Sequence, residues 1–283
     1  MIDETAAEIA DLRTHSSSAV ARKAARALEE LLDREYATVE EYLRDLERNS
    51  SALRRASPSH ASLTTTQRDV VSAVEAADPD SIEAAKAATA DAIDDVVADL
   101  EAATGEAAAK AADRLQDGDV VLTHDYSTTV LGAVRRAAED GASLSVYVTE
   151  ARPLTLGRKM ARTLAEVESV EPTLVVDSAM GHALADCDRV LVGMDCVVGD
   201  TLYNRVGTYP IAATAADAGV PMTVAGASSK VVESGFSFEV ESRPSSEVIR
   251  EPPDGFAVEN PAYDATPVGL LDEVVTEDGP ADV

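Results

Sequence analysis

Hydrophobic residues in the first part of the chain recur at spacings of three and four, the periodicity of an amphipathic helix. The pattern extends over the stretches 18–36, 38–50 and 81–115. We predict a break or bend at Gly105, because glycine disfavours a helix interior. The serine-rich stretch Ser50–Thr66 is predicted to be a loop. The pattern therefore predicts an all-helical N-terminal domain over residues 1–105.

After Gln116 the pattern changes to short β-branched runs that alternate with helical stretches. The predicted strands are 119–124, 143–150, 172–177, 189–195 and 221–226. Strands that alternate with helices indicate βαβ units and a mostly parallel sheet. We therefore predict an α/β protein whose second domain, residues 106–283, is a Rossmann-like ligand-binding domain.

Ligands in such folds bind at the carboxyl ends of the strands. This rule selects the segments Thr123–Ser127, Glu150–Gly157, Asp177–Met180, Gly193–Asp195 and Ala225–Lys230. Asp125 and Ser127 precede a predicted helix whose first N–H groups favour a phosphate. The alternative is that one of these two side chains only caps that helix.

Charged residues follow the second predicted strand. Arg152 and Arg158 lie where this strand passes into a loop, next to Glu150. An arginine at the mouth of the sheet suits a phosphate or carboxylate clamp. The alternative is a structural ion pair between Arg152 and Glu150.

Asp195 ends an apolar strand, where an acid is costly unless it is paired or functional. Asn204 and Arg205 follow and are predicted to open the next helix. A carboxylate that faces a phosphate-binding helix start suits general acid–base chemistry. The alternative is a turn of Asp and Gly followed by a capped helix. Cys187 and Cys196 are predicted to be packing residues.

Composition excludes several classes of protein. Among 283 residues, 52 are acidic and 24 are basic, which gives a net charge of −28. Such a surface repels nucleic acid and anionic membranes. We infer a cytoplasm rich in salt, which screens the self-repulsion. Zinc-ligand spacings, the dinucleotide fingerprint and the P-loop are absent from the sequence, so we predict neither a metal nor a cofactor.

Six segments of the chain together resemble one protein family. They are VLTHDYS, TEARPLTLG, VLVGMDCVVGD, NRVGTYPIA, SSKV and NPAYDATPVGLLDEVVTEDG. The family contains the alpha, beta and delta regulatory subunits of translation initiation factor 2B, ribose 1,5-bisphosphate isomerase and methylthioribose-1-phosphate isomerase. The chain looks like an acidic archaeal member adapted to high salt. The resemblance covers residues 115–280 and implies dimers or larger homo-oligomers.

The resemblance also implies roles for individual residues. Asp195 matches the catalytic Asp of the isomerases, whereas Asp125 occupies the position of their catalytic Cys. Ser127, Arg152, Asn204 and Arg205 would hold a phosphate. Thiol and carboxyl groups differ by about 4–5 units in reference pKa. Asp125 could act as an acid only if burial or Asp195 raised its pKa.

The N-terminal phosphate-binding residues of the isomerases are also altered. Their RGA-like loop corresponds to His15, Ser16 and Ser17, and Ser57 replaces an Arg that precedes Pro58. A reduced phosphate site would favour binding without turnover.

Two hypotheses follow. The first is an initiation factor 2B-like regulatory protein with a sugar-phosphate or nucleotide pocket, linked to translation initiation through an initiation-factor partner. The second is an aldose–ketose isomerase acting on ribose 1,5-bisphosphate or methylthioribose 1-phosphate. The altered Asp125 position makes the regulatory hypothesis the leading one at this stage.

Overall fold

The computed structural model describes residues 2–10, 16–57, 60–232, 238, 242–252 and 254–281. His15 and Pro58 lie outside these residues. The chain forms two compact units, Met1–Ala102 and Ala103–Val283. None of the helices described is long and apolar enough to cross a membrane.

The first unit is helical. Its helices are α1 (Ile2–Ala10), α2 (Ser17–Ala27), α3 (Val39–Ala56), α4 (Ala61–Ala76) and the start of α5 (Ile82–Ala112). Tyr42 is fully buried in the core of this unit, and its hydroxyl donates to Thr89 Oγ1 at 2.7 Å. Thr38 caps α3 by accepting from the Glu41 N–H at 3.2 Å.

Two local predictions in the helical part were wrong. The stretch Ser50–Thr66 is mostly helical, because its ends belong to α3 and α4. Ser50 is buried there and its hydroxyl donates to the Gln67 carbonyl at 3.1 Å, so this serine packs between helices. Helix α5 runs unbroken through Gly105.

Gly105 is a site where added side-chain bulk should stabilise the fold. A Cβ at this position meets nothing within 4 Å, and the residue is helical. We expect Gly105→Ala to raise the free energy of unfolding by about 0.5–1 kcal/mol, because alanine loses less backbone entropy in a helix. Gly118 is the matched control, since it is equally open but has a φ of +88°.

Thermal melting of both variants at one fixed KCl concentration would check this prediction. Gly118→Ala should lower the melting temperature, because alanine is strained at positive φ. An unchanged or lowered melting temperature for Gly105→Ala would contradict the prediction.

The second unit alternates strands and helices, and the predicted α/β class is confirmed. Its first elements are β1 (Val120–His124), α6 (Thr128–Glu139), β2 (Leu144–Thr149), α7 (Gly157–Leu164), β3 (Val170–Val175), α8 (Met180–Leu184) and β4 (Arg189–Gly193). They are followed by β5 (Cys196–Val198), β6 (Thr201–Arg205), α9 (Thr208–Ala218), β7 (Met222–Ala225) and β8 (Val231–Val232). The last strands are β9 (Tyr263–Pro267), β10 (Glu273–Thr276) and β11 (Gly279–Pro280).

Among the described residues, these strands form two sheets. The larger sheet has the order β11-β10-β7-β4-β1-β2-β3 and is parallel except at β11. Its strands β1 to β4 and β7 are the five predicted from the sequence. The smaller sheet has the order β8-β5-β6-β9 and was not predicted. In it, β6 pairs antiparallel with both β5 and β9.

The larger sheet contains a topological switch point. From β1 the chain proceeds outward through β2 and β3 on one side, and through β4, β7 and β10 on the other. The loops after β1 and β4 therefore diverge and leave a crevice at the carboxyl ends of these two strands. Ligands usually bind at this position in such sheets.

Candidate functional site

Two acidic residues flank the switch point. Asp125 directly follows β1, and Asp195 lies two positions after the end of β4. Their exposed fractions are only 7% each. The structure therefore brings together the two carboxylates that the sequence analysis singled out.

Arg205 lies between these carboxylates. Its Nε atom is 3.4 Å from Asp125 Oδ2 and 3.9 Å from Asp195 Oδ2. The side chain is buried and comes from the last position of β6. The prediction that Asn204 and Arg205 open a helix was therefore wrong, because both residues pair with β9 in the smaller sheet.

The environment of Asp125 favours its protonated form. Burial raises the pKa of Asp125, and Asp195 adds to this effect. Arg205 and His124 oppose it by stabilising the carboxylate. The buried Oδ1 atom has no hydrogen-bond partner among the residues that the structure describes. A carboxyl group in this setting can hold a proton and release it to a bound molecule.

His124 connects the loop after β1 to neighbouring strands. Its Nδ1 is 2.6 Å from Thr149 Oγ1, and its Nε2 is 3.0 Å from the Val206 carbonyl. Nε2–H donates to the Val206 carbonyl, because a carbonyl oxygen can only accept. The Thr149 hydroxyl joins Nδ1 to the Thr123 carbonyl, to which it donates at 3.5 Å. Gly207 lies against this ring with a φ of +112°, and a Cβ there would be 2.7 Å from His124 Cε1.

Asn204 does not share the environment of Arg205. Adjacent residues of a strand point to opposite faces. The Asn204 amide donates to Thr208 Oγ1 at 3.0 Å, and that hydroxyl donates to the Arg205 carbonyl at 2.7 Å. Asn204 thus organises the turn before α9, and its phosphate-binding role stays a prediction.

The start of α9 already holds an anionic group. Asp264 Oδ2, from β9, accepts the N–H groups of Gly207 at 2.7 Å and Tyr209 at 3.0 Å. A carboxylate at a helix N-terminus satisfies free N–H groups and complements the helix dipole. This helix start is therefore occupied by the protein's own carboxylate.

Ser127 is the N-cap of α6. Its hydroxyl accepts from the Val130 N–H at 3.3 Å. It also packs against Gly193, where a Cβ would be 2.4 Å from Ser127 Oγ. The capping alternative therefore describes a contact that Ser127 makes, and its phosphate-binding role stays a prediction.

Arg152 lies at the edge of the site. It is exposed, its backbone N–H donates to Asp177 Oδ2 at 2.7 Å, and its Nη2 donates to the Val248 carbonyl at 3.2 Å. It lines one small cleft together with Asp125, Arg205 and Arg243. This placement is compatible with an anion clamp at the entrance.

The alternative prediction of an ion pair between Arg152 and Glu150 was wrong. Glu150 pairs with Arg158, whose Nη2 is 2.7 Å from Glu150 Oε2. The two residues are brought together by the turn from β2 into α7, and Arg152 points instead toward Val248.

Lys230 was not among the predicted site residues, although its segment was selected. It is buried, and its Nζ donates to the Met194 carbonyl at 3.0 Å. Burial lowers the pKa of Lys230, whereas the carboxylate of Asp195 opposes this shift. Lysine is rare in this chain, so one in the loop that follows the buried strand β7 was a usable signal. Lys230 adds a second cation close to Asp195.

Other site-related predictions concern cysteines, metals and the first unit. Cys196 is buried and Cys187 is half-buried, and burial raises the pKa of each thiol to about 12. Over the described part of the chain, no group of three His, Cys, Asp or Glu side chains could hold a metal ion.

Ser17 is buried at the start of α2, and Ser57 is buried just after α3.

The sequence matches the model of the Initiation factor 2 subunit family over residues 13–282. It is 33% identical over 289 residues to the ribose 1,5-bisphosphate isomerase of Haloferax volcanii, covering 98% of this chain and 88% of that protein. It is 34% identical over 292 residues to the protein of the same name from Haloterrigena turkmenica, covering 97% and 88%. The fold resembles the translation initiation factor eIF-2B of Pyrococcus horikoshii, with a TM-score of 0.85, 24% identity, and coverage of 99% and 96%.

Proposed function

The chain belongs to the Initiation factor 2 subunit family, and from this premise we propose that it is an aldose–ketose isomerase acting on a 1-phosphorylated pentose. The observation that carries the proposal is the pair of buried carboxylates, Asp125 and Asp195, on either side of Arg205 at the switch point. We further propose ribose 1,5-bisphosphate as the substrate, because relatives of that name align with almost the whole chain.

The reaction requires proton transfers in two stages, ring opening and isomerisation. Phosphorylation of the C1 oxygen prevents free opening of the sugar ring, so the bond between C1 and the ring oxygen must break with proton donation to that oxygen. A proton then leaves C2 and a proton is added to C1. The C2 hydroxyl loses its proton as it becomes a carbonyl, and this proton replaces the one given to the ring oxygen. Atoms and electrons balance within the substrate, so no oxidant or reductant is needed.

The two carboxyl groups can divide these steps between them. Asp125, whose pKa burial raises, supplies the proton to the ring oxygen. Asp195 is the partner that moves the proton from C2 to C1. Arg205 stabilises negative charge that develops between them, since its guanidinium stays protonated. Arg152 and Lys230 contribute positive charge for phosphate groups.

A regulatory function is the second candidate. The regulatory function is favoured by Asp125, which stands where the isomerases have their catalytic thiol. It is also favoured by Ser57, which stands where they have an Arg. In this case the pocket would bind a sugar phosphate or nucleotide without turnover, in a homo-oligomer or with an initiation-factor partner. The names of the full-length relatives support the isomerase better than this regulatory hypothesis, although the sequence analysis placed the latter first.

The deciding experiment is a product assay in molar KCl. Purified protein is incubated with ribose 1,5-bisphosphate and, separately, with methylthioribose 1-phosphate, and ketose formation is followed by phosphorus and carbon NMR. We expect a ketose from ribose 1,5-bisphosphate and none when Asp195→Asn is used. Phosphorus shifts without a ketose product would instead support the regulatory candidate.

A further inference from the structure

An aromatic side chain lies over the guanidinium between the two carboxylates. Arg205 on β6 is directly opposite Tyr263 on β9 in the antiparallel register. The Arg205 Cζ atom is 5.0 Å from the centre of the Tyr263 ring, and Tyr263 is 3% exposed. A guanidinium over a buried aromatic face is held by cation–π attraction and by stacking.

The Tyr263 ring is itself held in place by other aromatic residues. Phe238 packs edge-on against it, with centroids 5.1 Å apart and an interplanar angle of 86°. Phe238 also stacks on Tyr203, with centroids 4.1 Å apart and an interplanar angle of 10°. We call Tyr203, Phe238 and Tyr263 the aromatic cluster. Within it, Tyr263 contacts Arg205 and Tyr203 stacks on Phe238, so the two tyrosines can be tested separately.

The backbone next to Tyr263 is fixed as well. The neighbouring Asp264 accepts two N–H groups at the start of α9 and pairs with Asn204 across the strands. A one-residue slip of β9 would turn Tyr263 to the opposite face. The capping contacts of Asp264 resist such a slip and keep the ring on the Arg205 side.

The carboxylates alone constrain Arg205 only loosely. The distances from its Nε, 3.4 Å to Asp125 and 3.9 Å to Asp195, exceed the roughly 2.7–2.9 Å of a charge-assisted hydrogen bond. The Tyr263 ring adds an orienting contact to these two ion pairs, because an aromatic face fixes the plane of a guanidinium that lies over it.

We propose that Tyr263 is a positioning residue whose ring holds the Arg205 guanidinium beside Asp125 and Asp195. The proposal rests on the proposed function for its catalytic meaning, but the contact itself does not depend on turnover. The effect would pass through Arg205, because Tyr263 is in contact with the guanidinium and Arg205 faces both acids.

The test measures the titration of Asp125 directly by carbon NMR of the labelled carboxyl, with Asp125→Asn used to identify the signal. The titratable and charged groups that face Asp125 are Arg205, Asp195 and His124. Since Arg205 lowers the pKa of Asp125, its displacement in Tyr263→Leu should raise the midpoint by about half a unit or more. Tyr263→Phe keeps the ring and should leave the midpoint unchanged, as should Tyr203→Leu.

Several results would overturn the proposal. One is an unchanged midpoint in Tyr263→Leu, and another is an equal shift in Tyr263→Phe, which would assign the effect to the hydroxyl. If Tyr263→Leu does not fold, Tyr263→Met fills similar space without an aromatic face and takes its place. These readouts need no isomerase activity, so they stand apart from the product assay.

In an active protein, kinetics provide an additional readout. Tyr263→Leu should lower kcat for ketose formation and shift the pH profile, whereas Tyr263→Phe should restore both. A change in KM alone, with kcat and the pH profile unaltered, would mean that the ring supports substrate binding and would contradict the positioning role.

Discussion

Replacing Asp125 with asparagine lowers kcat for ketose formation by about 10²–10⁴-fold, the usual contribution of a general acid or base. The substitution keeps the shape of the side chain and removes the proton that we assign to the ring oxygen. The NMR product assay in molar KCl measures the change. Asp140→Asn is the control, because Asp140 is an exposed residue at the end of α6, paired with Arg136.

The pH profile gives a second test of the same assignment. If the protonated form of Asp125 is the active one, kcat falls as the pH rises through the pKa of Asp125. Asp125→Cys should move this limb to higher pH, because a thiol has a reference pKa of about 8.5. Full activity of Asp125→Ala, or an identical alkaline limb in Asp125→Cys, would remove Asp125 from the mechanism.

Stability should depend on pH in the matching direction. The raised pKa means that folded protein binds the Asp125 proton more tightly than unfolded protein does. The stabilisation is therefore complete below the unfolded pKa of about 3.9 and is lost as the pH rises through the folded pKa. The free energy of unfolding of Asp125→Asn should consequently rise relative to that of the unmutated protein over this interval.

The second large effect, a loss of stability, is expected when Gly157, the first residue of α7, is replaced by alanine. A Cβ there would be 1.9 Å from the Thr149 carbonyl oxygen and 3.0 Å from Glu150 Cα. These are backbone atoms at the end of β2, a strand paired on both sides in the larger sheet. They cannot yield without disturbing the parallel ladder.

Gly157→Ala should therefore lower the free energy of unfolding by about 3 kcal/mol or more, at the upper end for overpacking substitutions. For a chain of this size, the melting temperature should fall by roughly 6–12 °C. Gly105→Ala in α5 is the control for the added methyl group and should change stability in the opposite direction. A melting temperature within about 1 °C of the unmutated protein would contradict the steric argument.

Some residues of the proposed site could be identified from the sequence, and others could not. Asp125 and Asp195 could be found from the sequence, because each follows a buried β-branched run and the topology rule directs attention to strand ends. Lys230 lay in a segment selected by the same rule. Tyr263 and Arg243 offered no such signal, since neither follows a strand of the larger sheet.

The sequence by itself determined the helical first part, the five core strands and the mostly parallel sheet of the second unit. These depend on hydrophobic periodicity and helix capping, which are set by neighbours close along the chain. It also placed the two acidic residues at strand ends. Its errors at Ser50–Thr66 and Gly105 arose because packing overrides weak local preferences.

Only the tertiary structure decided how Arg205 is used. Strand β5 is only three residues long, and β6 is not an apolar run like the strands of the larger sheet, because it ends in Asn204 and Arg205. Strand β6 is completed by pairing with β9, which lies far along the chain and is anchored by Asp264. That long-range pairing brings the Arg205 guanidinium between Asp125 and Asp195 and the Tyr263 ring over it, because strand register is fixed by contacts that local sequence does not encode.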